Sequence, residues 1–378
     1  MTAEDYKLLF EKFKESTLHG RYITYSHIKT LLDNFSELIN VSIVGQSILK
    51  NPTHTIQIGS GKKRILMWSQ MHGNESTTTK AVFDLLNTLL SNDSSAKKII
   101  ETCTICIIPI LNPDGAQAYT RVNANKVDLN RDAQDQSQPE SRVLMSVFEA
   151  FKPHFCYNLH GQRTIFSAGH ANRPATVSFL APAQDKACSL TTNRKIAMEI
   201  ISVMNDTLQV IIPDQVGVYD DSFNLNCVGD TFQSFNVPTI LFEAGHYNND
   251  YNREVTRAYI YIALLASLNY ISKNTISGSR FKSYFNIPEN QKLFYDVILR
   301  HVKMESIQDI GILYQEKIKE GKIEFIPKVE KIGNLDGYYG HREIDANESE
   351  VLDKNGNWLK IGNENVCVIL NNEKTSLL

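Results

Sequence analysis

Apolar residues recur along the chain with two kinds of spacing, which predict an alternation of helices and strands. At 5–15 and 25–40 the apolar positions are three and four residues apart, as in amphipathic helices. At 64–69 and 102–111 they form short continuous runs, as in strands that are buried on both faces. The alternation continues with predicted helices at 77–90, 191–204 and 254–271 and predicted strands at 41–44, 54–58, 155–159 and 239–242. Buried strands connected by helices predict a largely parallel sheet covered on both faces.

The character of the sequence changes after residue 271. Residues 272–283 are rich in Ser, Gly, Asn and Lys, which is typical of a linker or surface loop. From about residue 290, short β-prone runs alternate with turn residues such as Asn355 and Gly356. These runs cover 294–299, 312–314, 323–326, 358–361 and 366–369. We therefore predict one domain at 1–275, with the sheet and its helices, and a small all-β domain at 285–378.

Composition and charge narrow the range of partners. The 378 residues are 42% hydrophobic and 21% charged, which is typical of a globular protein and excludes disordered or collagen-like chains. Lys and Arg number 39 against 42 Asp and Glu, so the formal net charge is −3. This charge gives no electrostatic reason to expect nucleic acid or an anionic membrane as a partner. A small partner is predicted instead, and the sequence leaves the oligomeric state open.

The sequence also bears on the location of the protein. Residues 1–6 are polar and show no secretory signal. No segment reaches the roughly eighteen consecutive apolar residues of a membrane span. The six cysteines have irregular spacings, and several lie in apolar runs, which favours reduced core thiols over a disulfide framework. We predict a soluble cytoplasmic protein, with a periplasmic location as the alternative if a signal has been removed.

A histidine and a carboxylate follow the buried strand at 64–69. His72 and Glu75 are three residues apart, at the end of a parallel strand where ligands commonly bind. The pair can bind one Zn²⁺ if a third ligand comes from elsewhere in the chain. Taken alone, the pair is better explained as a helix N-terminus beside an unrelated histidine, because Glu is favoured in a first helical turn.

Other predicted strand ends supply further polar groups. The turn at 112–115 follows the strand at 102–111, and two arginines with several amides follow within 121–131. His160 ends the strand at 155–159, and Glu243 follows the apolar strand at 239–242. A carboxylate in that position is costly to bury unless a metal, a cation or water contacts it. Metal ligands, a carboxylate base and guanidinium groups are together the set that metal-assisted hydrolysis needs.

As an ordered set, these motifs resemble the zinc carboxypeptidases of the peptidase M14 family. The resemblance covers about residues 20–272 and rests on His72-x-x-Glu75, Asn112-Pro113-Asp114-Gly115, Arg121, Asp128-Leu129-Asn130-Arg131, His160 and Glu243. It implies a three-layer α/β/α sandwich with a mixed, mostly parallel sheet. It also implies a zinc-dependent hydrolase that removes C-terminal residues from peptides through a zinc-bound water.

The resemblance implies a role for each residue around the zinc. His72, Glu75 and His160 would bind one Zn²⁺ per chain. Glu243 would be the general base, which takes a proton from the zinc-bound water and later gives it to the leaving amine. Arg121 would stabilise the oxyanion that develops beside the metal.

The resemblance also implies residues for substrate binding and for support. Asn130 and Arg131 would bind the free α-carboxylate of the substrate, Arg131 through a bidentate fork that lysine cannot form. Asp128 would hydrogen-bond His72 and orient its ring. Tyr219 lies 24 residues before Glu243, near the position of a tyrosine that closes over the substrate in the family; it is equally consistent with an ordinary loop tyrosine.

Some positions depart from the family pattern or leave alternatives open. Asn74 lies where digestive members carry an arginine, and Asp132 lies where an asparagine is common. The side-chain pocket is expected within about 215–235. Asp230 in that segment would favour a basic substrate residue, or it caps a helix.

Two other functions compete with the carboxypeptidase. The motifs at 72–75 and 128–131 also match N-acyl amino acid deacylases of the succinylglutamate desuccinylase and aspartoacylase type, and an amidase of peptidoglycan peptides would use the same zinc chemistry. The turn at 112–115 and the length of the catalytic part favour the peptidase. A zinc-containing scaffold that binds peptides without cutting them is the third hypothesis, but it has no chemical need for Glu243 or Arg121.

Overall fold

A computed structural model describes residues 1–365, 367–371 and 373–378. It divides the chain into two compact units, of which one comprises 1–162 and 175–290 and the other comprises 163–174 and 291–378. The helices are α1 (Ala3–Phe13), α2 (Tyr25–Ser36), α3 (Thr77–Leu89), α4 (Ser94–Thr102), α5 (Pro113–Ala118), α6 (Pro139–Phe151), α7 (Thr192–Gln209), α8 (Val228–Ser234) and α9 (Glu254–Lys273). Short 3₁₀ helices occur at Leu129–Arg131 and Phe281–Asn286.

The strands fall into a large sheet in the first unit and smaller sheets towards the C-terminus. In chain order they are β1 (Asn40–Gln46), β2 (Pro52–Ile58), β3 (Lys63–Ser69), β4 (Cys103–Ile108), β5 (Phe155–Gly161), β6 (Phe166–Ala168), β7 (Val177–Leu180), β8 (Val216–Val218), β9 (Thr239–Ala244), β10 (Asn290–Lys292), β11 (Phe294–Lys303), β12 (Ile307–Lys319), β13 (Lys322–Gly333), β14 (Tyr339–Asp345), β15 (Val351–Leu352), β16 (Cys367–Leu370) and β17 (Glu373–Ser376). The predicted strand at 366–369 corresponds to β16, and Val366 itself lies outside the described residues.

The large sheet has eight strands in the order β1-β2-β4-β3-β5-β9-β7-β8. Its central pairs β4/β3, β3/β5 and β5/β9 are parallel, and β7/β8 is parallel as well. The pairs β1/β2, β2/β4 and β7/β9 are antiparallel. The prediction of a mixed, mostly parallel sheet is confirmed. The parallel centre brings the carboxyl ends of β3, β4, β5 and β9 to one edge.

Helices cover both faces of this sheet because its central strands are apolar on both sides. Along β3, Ile65 and Met67 join a core with α3, α7 and α9, whereas Leu66 and Trp68 join a second core with residues of α6 and α8. All four side chains are fully buried. The continuous apolar run in the sequence therefore reflects a strand between two helical layers, and the predicted three-layer sandwich is confirmed.

The sequence pattern missed several elements. Neither α4 nor α6 was predicted, although α6 carries Pro139 and Glu140 in its first turn, which is a helix-start signal. The short strands β7 and β8 were also missed, because three or four residues show no usable periodicity. These elements lie on the periphery of the sheet or cover it, and the predicted centre is unaffected.

The second unit is all β. A four-stranded sheet in the order β13-β12-β11-β14 and a three-stranded sheet of β15, β16 and β17 contribute to one apolar core. The 163–174 segment belongs to this unit, where Ser167 Oγ donates to the carbonyl of Gln291 at 3.2 Å. The sequence pattern predicts this segment as part of the domain at 1–275 and predicts a linker or surface loop at 272–283. The domain boundaries at 275 and 285 stay a prediction.

A bilayer-spanning helix would need a long apolar stretch, and none of the helices among the described residues has one.

Candidate active site

Four strand ends of the first unit bring the predicted functional residues together. His72 and Glu75 lie in the connection from β3 to α3, and Asn112 is the N-cap residue of α5, which follows β4. His160 and Glu243 lie within β5 and β9, where they are direct neighbours in the parallel register. The two side chains therefore project from the same face of the sheet, one strand apart.

The connection that carries His72 is held by a network of backbone and amide hydrogen bonds. The Nε2 of Gln70 donates to the carbonyls of Ile23 at 2.9 Å and Gly73 at 2.8 Å. The Asn112 amide Nδ2 donates to the carbonyl of Met71 at 3.1 Å, and its Oδ1 accepts from Gly115 N–H at 2.8 Å. The turn at 112–115 thus fixes the backbone next to His72, because Asn112 binds the carbonyl of the preceding residue.

Glycine at position 73 is required by a close backbone approach. A Cβ at Gly73 would lie 1.9 Å from the carbonyl carbon of Gly115 and 2.2 Å from the nitrogen of Ala116. Backbone atoms cannot swing aside as the end of a side chain can. The turn at 112–115 and the loop of His72 therefore pack against each other only if this residue has no side chain.

We expect Gly73→Ala to lower the free energy of unfolding by about 3 kcal/mol, at the upper end of typical overpacking costs. Chemical denaturation of the wild type and the variant measures the change. Gly161→Ala is the matched control, because its Cβ would lie 3.5 Å from the Glu75 side chain, an ordinary contact. Equal destabilisation by the two substitutions would contradict the packing argument.

The three predicted zinc ligands converge. The distance from His72 Nδ1 to Glu75 Oε1 is 2.9 Å, from His160 Nδ1 to Glu75 Oε2 is 2.9 Å, and between the two Nδ1 atoms is 3.0 Å. Both histidines are 2% exposed. Within the part of the chain that the structure describes, this is the group of His, Cys, Asp and Glu side chains whose ligand atoms all lie within 4.8 Å of one another.

The chemistry of this donor set fits a zinc ion. His72 Nε2 faces Asp128 Oδ1 at 3.0 Å, and because a carboxylate only accepts, the ring proton is on Nε2. In the neutral ring, Nδ1 is then the nitrogen whose lone pair can bind a metal ion on the side of Glu75 and His160. Burial alone would raise the pKa of Glu75, but His72 and His160 outweigh it and hold the pKa below its ordinary value. Two imidazoles and a carboxylate are a typical ligand set of catalytic zinc sites, in which the fourth position is left for water or substrate.

Asp128 links three parts of the site. Its Oδ1 accepts from the backbone N–H of Asn130 at 2.9 Å as well as contacting His72. Its Oδ2 accepts from Arg121 Nε and Nη2, both at 3.0 Å. Burial would raise the pKa of Asp128, but His72 and Arg121 outweigh burial and hold the pKa below its ordinary value. The carboxylate is therefore ionised at neutral pH. Asp128 thus contacts the residue for which it was predicted and also fixes the guanidinium of Arg121.

Three polar side chains that differ in solvent exposure border the site, namely Arg121, Asn130 and Arg131. The side chain of Arg121 is 48% exposed, and its Nη1 lies 3.6 Å from Glu75 Oε1. Asn130 Oδ1 accepts from the N–H of Val228 at 3.1 Å, which fixes the amide orientation. Arg131 is exposed, and one Nη1 bond to the carbonyl of Asn130 at 2.9 Å leaves most of its donors available.

Glu243 has the environment of a carboxylate with an unusual pKa. Burial raises its pKa well above the ordinary value, and the charge of Glu75 adds to this, while Arg121 and Arg253 oppose it. Its Oε2 is buried and has no hydrogen-bond partner among the described residues, and the same holds for His160 Nε2. A buried, unsatisfied carboxylate oxygen is a costly feature that a functional partner can explain.

Tyr219 is anchored rather than loose. Its hydroxyl donates to Gln162 Oε1 at 2.6 Å, and the Gln162 Nε2 donates to the carbonyl of Ala175 at 2.6 Å. Burial raises the pKa of Tyr219, and the charge of Glu243 raises it further, which indicates that the phenol lies near that carboxylate. The sequence pattern did not predict Gln162 as a residue of the site. Its position two residues after His160 was the one feature of the sequence that pointed to it.

Other singled-out residues have structural contacts. Asp114 accepts hydrogen bonds from Ser47 Oγ at 2.6 Å and from the N–H of Leu49 at 2.9 Å, so it supports the turn. Asp132 accepts from the N–H groups of residues 137 and 138, both at 3.0 Å. Asp230 lies in the first turn of α8, and burial raises its pKa to about 6. The N-cap of α8 is Cys227, so the interpretation of Asp230 as the helix cap is wrong, and its contribution to a side-chain pocket stays a prediction.

Comparison with known proteins identifies the class to which this site belongs. Residues 24–225, more than half of the chain, match the family model of the peptidase M14 zinc carboxypeptidases. The chain belongs to this family of peptidase hydrolases, which is zinc-dependent. The predicted resemblance is confirmed, and the deacylase alternative is not favoured.

Individual relatives are similar over part of their length. The chain is 31% identical over 128 residues to Carboxypeptidase 2 of Trichophyton rubrum, an overlap of 34% of this chain and 22% of that protein. The chain thus spans about a fifth of the length of this curated relative.

Solved structures establish the fold. A metallo-carboxypeptidase from Burkholderia cenocepacia aligns with a TM-score of 0.53 at 19% identity, covering 65% of this chain and 68% of that one. Thrombin activatable fibrinolysis inhibitor aligns with a TM-score of 0.53 at 13% identity, covering 72% and 81%. At these identities the likeness concerns the architecture alone.

Proposed function

We propose that the protein is a zinc-dependent metallocarboxypeptidase that hydrolyses the C-terminal peptide bond of peptides with a free α-carboxylate. The observation that carries the proposal is the convergence of His72, Glu75 and His160 within 3.0 Å contacts, with Glu243 next to His160 in the strand register. Membership in the zinc carboxypeptidase family supports the reaction class.

His72, Glu75 and His160 would hold one zinc ion per chain. When bound, Zn²⁺ lowers the pKa of a water molecule and polarises a carbonyl group. Glu243 would accept the proton of the attacking water at Oε2, the buried oxygen that has no partner in the described part of the chain. The same carboxyl group would then return the proton to the leaving amine. Its raised pKa suits a group that must bind and release a proton.

Arg121 would stabilise the negative charge that develops on the scissile carbonyl oxygen. Its guanidinium is oriented in advance by Asp128, so little reorganisation is needed during the reaction. Asn130 and the exposed Arg131 would bind the substrate α-carboxylate. Tyr219, anchored to Gln162, would contact the substrate next to Glu243.

The experiment that tests the proposal compares pairs of peptides that differ only in a free or amidated C-terminus. We expect amidation to lower kcat/KM by about 10²- to 10³-fold, because it removes one partner of a charge pair with Arg131. Mass spectrometry of the products measures both rates and identifies the released residue. Equal rates on the two peptides would contradict exopeptidase action.

Arg131→Lys is the control variant for this test. It keeps the charge but loses the bidentate fork, so we expect slower hydrolysis of the free peptide and an unchanged rate on the amidated one. N-acyl amino acids belong in the same assay. Release of acyl groups from single amino acids, without peptide cleavage, would replace the carboxypeptidase with the deacylase.

A further inference from the structure

Arg253 is a buried arginine that the reaction proposed above does not use. It lies directly before α9, and it is 2% exposed. Its Nη1 donates to the carbonyls of Ala244, at 2.6 Å, and Gly245, and its Nη2 donates to the carbonyl of Gln162 at 3.0 Å. One guanidinium therefore binds carbonyl groups from two segments of the chain.

These carbonyls lie at the carboxyl ends of the two strands that carry the candidate site. Ala244 is the last residue of β9, directly after Glu243, and Gly245 follows it. Gln162 directly follows the end of β5, two residues after His160. The regular pairing of β5 with β9 stops at Gly161 and Ala244. Beyond this point the N–H of Gln162 still donates to the carbonyl of Ala244 at 3.0 Å, and the amide of Gly245 turns away to Thr176. Arg253 thus adds a second connection between the two strand ends, next to the last backbone bond between them.

The backbone of Arg253 is also unusual. Its φ of +57° lies in the left-handed region, which a residue with a large side chain rarely adopts. Asp250 holds the surrounding turn, since its carboxylate accepts from the N–H groups of Glu254 and Thr256, both at 2.8 Å. Such backbone conformations persist where the surrounding structure fixes them, and they are concentrated near functional sites. Here the conformation directs the guanidinium at the strand ends.

We infer that Arg253 is a positioning residue that holds Glu243 opposite His160. An arginine suits this task because its planar fork offers several donors in a fixed geometry, which a lysine cannot reproduce. Movement of a catalytic group by about 1 Å can lower a rate by about 10²-fold. The inference rests on the proposed function, because the two residues that Arg253 would hold opposite each other are the proposed base and a proposed zinc ligand.

The test compares Arg253→Lys with Arg257→Lys. Arg257 is the matched control, because it is also a buried arginine of the same region and donates to the carbonyls of Leu18 at 2.6 Å and Glu15 at 2.7 Å. Its other contacts are to Asp84 and Glu254, so it lies outside the proposed machinery. Both variants keep the positive charge and both lose a guanidinium fork.

We expect Arg253→Lys to lower kcat by about 10- to 100-fold with KM within about twofold of the wild type. KM should stay near the wild-type value because substrate binding is assigned to Asn130 and Arg131, and this substitution leaves both residues in place. Zinc content should equal that of the wild type. Arg257→Lys should unfold at a lower temperature but keep kcat when assayed well below its unfolding midpoint. An unchanged kcat in Arg253→Lys, or parallel losses of kcat in both variants, would overturn the inference.

Amide hydrogen exchange supplies a readout that does not depend on catalysis. In Arg253→Lys, exchange at Gly161, Gln162 and Gly245 should become faster, while exchange within β3 and β4 stays as in the wild type. If the wild-type protein hydrolyses no peptide, the proposed function fails. The exchange result alone then shows whether Arg253 holds the ends of β5 and β9 together. Faster exchange confined to these amides supports it, and unchanged exchange rejects it.

Discussion

Glu243→Gln is expected to lower kcat by at least about 10³-fold while zinc stays bound, since positioned general bases contribute up to about 10⁴-fold. Glutamine has nearly the same size as glutamate, so packing around β9 should persist. An amide nitrogen cannot take a proton from water, and the amide cannot return one to the leaving amine. Steady-state kinetics on the best peptide from the mass-spectrometric screen measure kcat, and elemental analysis of the purified protein measures zinc.

A second buried glutamate provides the control for this substitution. Glu199 is 1% exposed and lies on α7, where its Oε1 accepts from the hydroxyl of Tyr270 at 2.8 Å. Glu199→Gln should leave kcat unchanged. Turnover that persists in Glu243→Gln would rule out Glu243 as the base, and loss of zinc in that variant would assign the residue to the metal site instead.

The second large effect is expected on metal removal. A chelator should reduce activity to background, and added Zn²⁺ should restore it. The proposed zinc site forms only in the folded state, so zinc should stabilise that state by about 4 kcal/mol at 1,000 times its dissociation constant. For a chain of 378 residues, with an unfolding entropy of about 2.1 cal/mol/K per residue, that corresponds to a rise in Tm of roughly 5 °C. Differential scanning calorimetry of metal-free and zinc-loaded protein measures the shift.

Glu75→Gln separates the zinc site from a general effect of metal ions. Removing one of three ligands should abolish the rise in Tm and lower activity by at least about 10³-fold, because zinc prefers an anionic oxygen to a neutral amide. Glu140→Gln changes a carboxylate that is 0% exposed and accepts from Ile48 N–H at 3.1 Å, so it should keep the zinc response. Chelator-resistant activity, or an equal response in both variants, would contradict the assignment of Glu75.

The sequence predicted the centre of the fold better than its edges. Buried strands such as β3 carry apolar side chains on both faces, and that pattern is local and visible in a single sequence. The short strands β7 and β8 and the helices α4 and α6 were not visible in the same way. Assignment of 163–174 to the all-β unit depends on pairing with residues more than a hundred positions away, which no local pattern encodes.

The candidate site shows a similar division. His72, Glu75, His160 and Glu243 could be proposed from sequence because each follows or ends a predicted strand, and parallel strands bring their carboxyl ends to one edge. The second contact of Asp128, to Arg121, came only from the structure. It depends on how the loop at 121–131 folds back, and loop geometry has no periodic signal.

The sequence by itself determined the class of fold, the family and the set of residue types for metal-assisted hydrolysis, because strand periodicity and an ordered set of motifs are properties of the chain alone. Only the tertiary structure decided which polar groups form hydrogen bonds with one another. Arg253 lies in an ordinary polar stretch of the sequence, and its three carbonyl partners are revealed only when β5 and β9 end side by side. Contacts of this kind depend on the direction of backbone carbonyls in space, and every residue type carries the same carbonyl.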